Sequence, residues 1–413
     1  MRVTSDTIGG TPTVRYDPFD PEFQRDPYPV YRWLRNEQPV YRHPQGFYAL
    51  SRFEDIWAVL HDAAGYSSAE GLTFHPDEIG TLGLAPTMVM LDPPRHTQLR
   101  RLISKAFNPR RVDELEAGVV AFVRARLDLM AEMAADGSEV DLHRMYSSPL
   151  PTHVLAELLG IPTDDRRLLD PWVAALVGMQ EHGLADGDTE DDLGARQVVV
   201  ELFAYFDQMV RDRRASPGDD LISALTLAEV EGERLTDWDI LGFCFVLVAG
   251  GNDTTGNLIS HSVALLDGHT DQRQRLVGDP GLLATAVLEF LRLEGSVQGL
   301  CRTTTADVTH HGVDIPAGSK VMLLYASGNR DEREYGADAD QLDVTRTIRR
   351  HLGFASGPHV CIGAHLARMQ ARVALGELLA RFPDVGADTA RGVRLPSAFT
   401  RGWASLPATG LAG

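Results

Sequence analysis

One stretch governs what this chain can fold into. Thr236, with Asp239 three positions later, has the form of a capping box, and the pattern that follows stays helical to about Asp267. A helix of roughly thirty residues spans about 45 Å, more than the width of a small domain, so the remaining elements must be arranged around it. Its first half, Leu241 to Gly251, is strongly apolar, and Asn252-Asp253-Thr254-Thr255 follows directly. The apolar run is about half the length of a membrane span, so it reads as a buried central spine.

The rest of the pattern supports a mainly α fold with a small β portion, in a single domain over residues 1–413. Helices are expected at Pro94 to Phe107, Val112 to Ala134, Tyr146 to Gly160, Arg166 to about His182, Asp191 to Ser216, Leu283 to Leu293 and Ile362 to Arg381. The helical portion thus covers about 94–294 and 361–382, and β-rich pieces fall at about 28–62, 295–325 and 390–413. No G-x-G-x-x-G, P-loop or internal repeat appears. A net charge of −19 argues against nucleic acid and anionic lipid as partners. Cys244, Cys301 and Cys361 are far apart, which suggests neither a disulfide framework nor a structural zinc site. The polar start, Met1 to Asp20, has no apolar export signal, so a cytoplasmic protein without a membrane anchor is expected.

The chemistry concentrates in Gly353-Phe354-Ala355-Ser356-Gly357-Pro358-His359-Val360-Cys361-Ile362-Gly363, immediately before the last helix. Glycines at 357 and 363 let a loop wrap closely around one sulfur. Phe354 can cover that sulfur, and amides opening the helix can donate toward it. A lone cysteine at a helix start is more often buried and inert, but the pattern F-x-x-G-x-H-x-C-x-G is too specific for that reading.

This segment resembles the cysteine-ligand loop of the cytochrome P450 family, and further stretches resemble that family in the same order. The resemblance implies the family's fold, with a long central helix over a haem b (iron protoporphyrin IX) whose iron is held by the Cys361 thiolate. It makes Phe354, His359, Cys361 and Gly363 part of the cofactor site. In Asp92-Pro93-Pro94-Arg95-His96-Thr97-Gln98-Leu99-Arg100, His96 and Arg100 match residues that meet a haem propionate, as do Arg302 and His359. Ala249-Gly250-Gly251-Asn252-Asp253-Thr254-Thr255 resembles the family's oxygen-activation segment, with Asp253 and Thr254 as the proton-delivering pair. Its two glycines, followed by hydroxyl residues, weaken the helix's hydrogen-bond ladder and allow a local widening where dioxygen and water can sit.

Two positions depart from the usual pattern. Ala355 stands where a glycine is customary, and a local adjustment of the turn is expected. Glu289 and Arg292 match the family's E-x-x-R element, whose usual arginine partner is replaced here by Gln341, leaving Gln341 or nearby Arg346 to complete the set.

The resemblance further implies a monooxygenase, working as a monomer, that takes dioxygen, a small and largely apolar organic molecule, and electrons from a ferredoxin and ferredoxin reductase. The sequence holds no flavin, nicotinamide or iron–sulfur motif of its own. The substrate would meet the loop from Gly71 to Leu91, the helix around Phe245, Val248 and Gly250, the stretch Gly295 to Leu300 with Val297 and Leu300 foremost, and Phe399. Arg100, Arg101, Lys105, Arg110, Arg111, Arg349 and Arg350 would face the redox partner. A peroxide-driven peroxygenase, a haem-thiolate sensor and, distantly, a Cys361–His359 nucleophile pair are the rival readings.

Overall fold

The computed structural model describes residues 15–75, 78, 86–169, 171–175 and 190–411. Its largest sheet is built from two distant parts of the chain. Val40–Arg42 (β1) and Tyr48–Leu50 (β2) form an antiparallel pair. β2 runs parallel to Lys320–Leu323 (β5), β5 is antiparallel to Leu300–Thr304 (β4), and β4 is antiparallel to Tyr66–Ser67 (β3). The order is therefore β1-β2-β5-β4-β3. Successive side chains of β5 point to opposite faces. Val321 and Leu323 join Phe53 and Ile56 of helix Phe53–His61 (α1), whereas Met322 packs with Tyr31, Phe47 and Cys301.

The third β-rich piece expected from the sequence stays apart from this sheet. Val393–Arg394 (β6) pairs with Trp403–Ser405 (β7), and Gly386–Ala387 with Ala408–Thr409, each as a separate two-stranded ribbon. Both ribbons are built from strands of two or three residues, and the first carries a register shift between Val393 and Arg394.

The helices that frame the site are Arg95–Ala106 (α2), Glu116–Ala135 (α3), Pro149–Leu159 (α4), Glu190–Ala215 (α5), Leu283–Leu293 (α8) and Ala364–Arg381 (α9). Of the helix expected from Arg166 to about His182, residues 170 and 176–182 lie outside the described residues, as does part of the loop from Gly71 to Leu91; the described part begins as a 3-10 turn, Thr163–Leu168.

The spine is the chief correction. It forms as two helices, Asp237–Gly251 (α6) and Asp253–Asp267 (α7), broken at Asn252. The capping box is present, with the Asp239 amide donating to Thr236 Oγ1 at 3.1 Å and the Thr236 amide to Asp239 Oδ2 at 2.9 Å. The break has a local cause. Asn252 Nδ2 donates to the Val248 carbonyl at 3.1 Å and Thr254 Oγ1 to the Gly250 carbonyl at 2.7 Å, so side chains compete for acceptors of the backbone ladder beside two glycines.

Around it, α6 packs on α5, and α7 packs on α8, α9 and the π-turn His143–Ser147. The last contact is nearly backbone to backbone, since a β-carbon added at Gly256 would sit 3.1 Å from the Ser147 carbonyl oxygen. Among the described residues no helix is long and apolar enough to cross a membrane.

Candidate active site

The loop before α9 is closed by its own backbone. The Cys361 amide donates to the Phe354 carbonyl at 2.9 Å and the Ala355 amide to the Leu352 carbonyl at 2.9 Å. Closing it puts Ala355 at φ 53° and Gly357 at φ 68°, both left-handed. At Gly357 a side chain is excluded outright, because a β-carbon would overlap the Leu60 carbonyl. Gly363 needs no such freedom: its φ is −83°, and a β-carbon there would lie 3.8 Å from Cys361 Sγ. Its contribution is its amide. Cys361 is exposed as a residue, yet the protein packed around its thiol pushes it up, while the Gly363 and Ala364 amides and the Arg100 guanidinium pull it down. Phe354 and Ile362 pack against the main core on either side.

Next to this loop lies a concentration of cations and donors. The His96 and His359 rings are 4.1 Å apart. Both ring nitrogens of His96 are buried with no hydrogen-bond partner among the described residues. Burial, followed by Arg302, His96 and Arg100, holds His359 down to about 3. Burial and Arg100 likewise lower His96, against an upward pull from Asp92. That carboxylate is already engaged by Ser67 Oγ at 2.5 Å and the Ser68 amide at 2.9 Å. The cluster therefore has donors and positive charge to offer an anion.

Glu289 and Arg292 are fully buried and form a two-bonded pair at 2.7 and 2.8 Å. Arg346, not Gln341, completes the set: its Nε donates to Glu289 Oε1 at 3.1 Å, whereas Gln341 is exposed and lends only its backbone carbonyl. Arg292 also donates to the carbonyls of Asn329 and Ala339 at 2.8 and 2.6 Å, tying α8 to the segment that leads into the cysteine loop.

The α6–α7 junction forms another wall. Gly250 and Gly251 are exposed although the helices carrying them are packed on both sides, and added β-carbons there would meet nothing within 4 Å. Asp253 accepts from Asn257 Nδ2 at 2.7 Å. Asn257 was not singled out in the sequence, although it lies one helical turn after Asp253; Ser296, inside the expected substrate stretch, donates to the Thr254 carbonyl at 2.7 Å. Of the positions expected to meet substrate, Val297 forms a β-bridge with Thr400, and the Gln298 amide donates to the Phe399 carbonyl at 2.7 Å, so these two segments converge. The Phe399 ring stands 4.7 Å from Phe74. Phe245 lies 5.6 Å from Phe203, Leu300 is half-buried in β4, and Val248 is buried in the main core.

The basic residues expected to meet a redox partner are mostly paired. Arg101 sits 3.6 Å from Glu231, Arg110 3.2 Å from Glu114, and Arg350 bonds Glu54 and Glu334 at 2.6 and 2.5 Å. Arg100 turns inward to the Val360 carbonyl at 2.7 Å.

A helical array crossed by a broken spine, with one cysteine presented at the start of its last long helix, defines a known class of oxidoreductase. The sequence model of the family described as Cytochrome P450 matches residues 271–385. Cytochrome P450 130 of Mycobacterium tuberculosis is 43% identical over 392 residues, covering 92% of this chain and 94% of that protein. The vitamin D(3) 25-hydroxylase of Pseudonocardia autotrophica is 36% identical over 410 residues, 97% of each. The solved structure of cytochrome P450 CYP109Q5 from Chondromyces apiculatus superposes with a TM-score of 0.85 at 34% identity, covering 96% of this chain and 98% of that one.

The chain belongs to the cytochrome P450 family. It is a monooxygenase that works with haem, dioxygen and an organic substrate. The residues present fit such a cofactor: an anionic, iron-bearing ring needs one soft ligand and cationic partners for its acid groups, and the orphaned nitrogens of His96 lie against His359 beside the cysteine loop. Among the described residues no group of three or more His, Cys, Asp or Glu side chains is placed to hold a metal ion.

Proposed function

We propose that the chain binds haem b through the Cys361 thiolate and inserts one oxygen atom from dioxygen into a small, largely apolar molecule, with electrons from a ferredoxin and its reductase. The observation that carries this reading is the grouping of His96, Arg100, Arg302 and His359 within electrostatic reach of one another beside the cysteine loop. In it the Gly363 and Ala364 amides and Arg100 stabilise the sulfur as thiolate. Arg100, Arg302, His96 and His359 hold the two propionates, and Phe354 shields the sulfur from water. The bound haem supplies reduction and cleavage of dioxygen, a chemistry that no side chain can perform.

The protein's task is to move protons and exclude water. Asp253 takes a proton from solvent, and Thr254 relays it. In the observed arrangement the Thr254 hydroxyl donates to the Gly250 carbonyl, so its lone pairs accept first and the hydroxyl then rotates to pass a proton on. The open face at Gly250 and Gly251 is where the small molecules meet this pair. Phe245, Val297, Leu300 and Phe399 supply apolar surface for the substrate, with Val248 packed behind. The relative named for vitamin D(3) hydroxylation makes hydrophobic molecules of that size the first compounds to test.

The test is reconstitution of the haem-loaded protein with ferredoxin, reductase and NADPH, after apolar compounds have been screened for a spin-state change. Incorporation of one atom from isotopically labelled dioxygen, dependent on ferredoxin, is expected. Product formed only with added hydrogen peroxide would replace the monooxygenase cycle by the peroxide-driven one.

A further inference from the structure

We infer that Asn257 is a positioning residue for proton delivery, holding the Asp253 carboxylate through a side-chain amide whose own orientation is dictated by the backbone of Trp403. This rests on the reading of Asp253 as the proton donor.

Asn257 is fully buried on α7, one turn beyond Asp253. The two ends of its amide are chemically opposite, and each has one partner. The Trp403 backbone N–H donates to Asn257 Oδ1 at 2.9 Å, and Asn257 Nδ2 donates to Asp253 Oδ1 at 2.7 Å. A backbone N–H can only donate, so it must face the oxygen end. The NH2 end is thereby turned toward Asp253, and a flipped amide would set donor against donor at one side and oxygen against carboxylate at the other.

Packing removes the remaining freedom. A β-carbon at Gly402 would stand 2.8 Å from Asn257 Cγ, so the glycine backbone lies flat against the amide. The neighbouring residue is tied to the same segment: Ser296 Oγ donates to the Thr254 carbonyl at 2.7 Å, and the Arg401 amide donates to the Ser296 carbonyl at 2.7 Å. The side chain at 253 and the backbone at 254 are thus both referenced to residues 401–403, outside the helix that carries them. An acid that loses and regains a proton in every turnover must return to one orientation, and a partner that does not itself titrate holds it without competing for the proton. Asn257 touches no reacting atom, and the proton passed on by Asp253 is replaced from solvent.

The test compares Asn257→Leu, Gly402→Ala and Asp253→Asn in the haem-loaded protein by two readouts. One is the infrared C–O stretch of the reduced carbon monoxide complex, which reports polar groups near the ligand. The other is the share of NADPH electrons recovered as hydrogen peroxide, with a ferredoxin and reductase and no organic substrate. Gly402→Ala guards against misfolding of the first variant, because position 402 lies outside the left-handed region and the three atoms nearest an added β-carbon all belong to the Asn257 amide. Both Asn257→Leu and Gly402→Ala are expected to move the C–O band as Asp253→Asn does and to raise the peroxide share severalfold. Adding Asn257→Leu to Asp253→Asn should change neither readout further. If Asp253→Asn moves both readouts and the other two variants move neither, Asn257 is merely structural. If Asp253→Asn itself moves neither, the proton-donor reading fails, and this inference with it.

Discussion

Ala355 sits at φ 53°, where a β-carbon costs about 1 kcal/mol, because the Cys361 amide must reach the Phe354 carbonyl to close the loop. Ala355→Gly should therefore raise the urea midpoint by an amount worth up to about 1 kcal/mol, and a lowered midpoint would show that the methyl group is useful packing. At Glu289 the expected contrast is sharper. Arg346→Ala removes a charge-assisted bond to a fully buried carboxylate and should cost about 1–3 kcal/mol, while Gln341→Ala should stay within about 0.5 kcal/mol in the same unfolding assay. This choice was invisible in the sequence, because it depends on how the loop after Asp338 folds back on α8. Cys361, His96, Arg302 and His359 were named together through the family resemblance, and the structure groups the two histidines and Arg302 beside the cysteine loop. Asn257 could have been found from its helical spacing to Asp253, but nothing in the sequence says that Trp403 lies opposite.

Among the elements, α8 could be read to the residue, and the spine only in part. The capping box at Thr236 and a weakened ladder at Gly250-Gly251 were legible, but the helical pattern runs on through that place and conceals that Asn252 and Thr254 take the Val248 and Gly250 carbonyls, so that two helices form instead of one. Helix starts shifted for similar local reasons: Asn108 caps a separate turn, Pro109–Asp113, before α3 begins. The C-terminal strands were visible as strands, but their partners are a matter of tertiary assembly. Gly256 marks where α7 crosses the π-turn. Gly256→Ala should cost about 1–3 kcal/mol by overpacking, measured by calorimetry, and an unchanged melting temperature would mean that the crossing can widen freely.

At the scale of the whole molecule, two buried histidines far from the cysteine loop make stability depend on pH. Burial and Arg394 hold His261 down to about 3, and burial, against the pull of Asp141, holds His143 down to about 4. His261 is locked as a neutral ring, donating from Nδ1 to the Glu294 carbonyl and accepting at Nε2 from Arg394, each at 2.9 Å. Below about 6.5 the unfolded chain takes up protons that these folded rings refuse, so stability falls with pH from there toward 4. Each histidine contributes a slope of about 1.4 kcal/mol per pH unit, and His143→Gln should flatten a series of urea midpoints across that window.

Charge acts at the same scale on partner docking. With a net charge of −19 and most of the expected docking cations paired, few positive charges are left to attract the acidic ferredoxin proposed as redox partner. Reduction by ferredoxin should slow with added salt and with Arg101→Glu combined with Lys105→Glu, and rates unaffected by both would place the docking surface elsewhere.

The functional account rests on a sulfur–iron bond at Cys361, and the absorption spectrum of the reduced, carbon monoxide-saturated protein tests it. Wild-type protein made with ample haem should show the strongly red-shifted Soret band of a thiolate ligand, and Cys361→His should keep the haem but lose that shift. A wild-type spectrum without the shift, or a Cys361→His spectrum that retains it, would contradict thiolate ligation by Cys361.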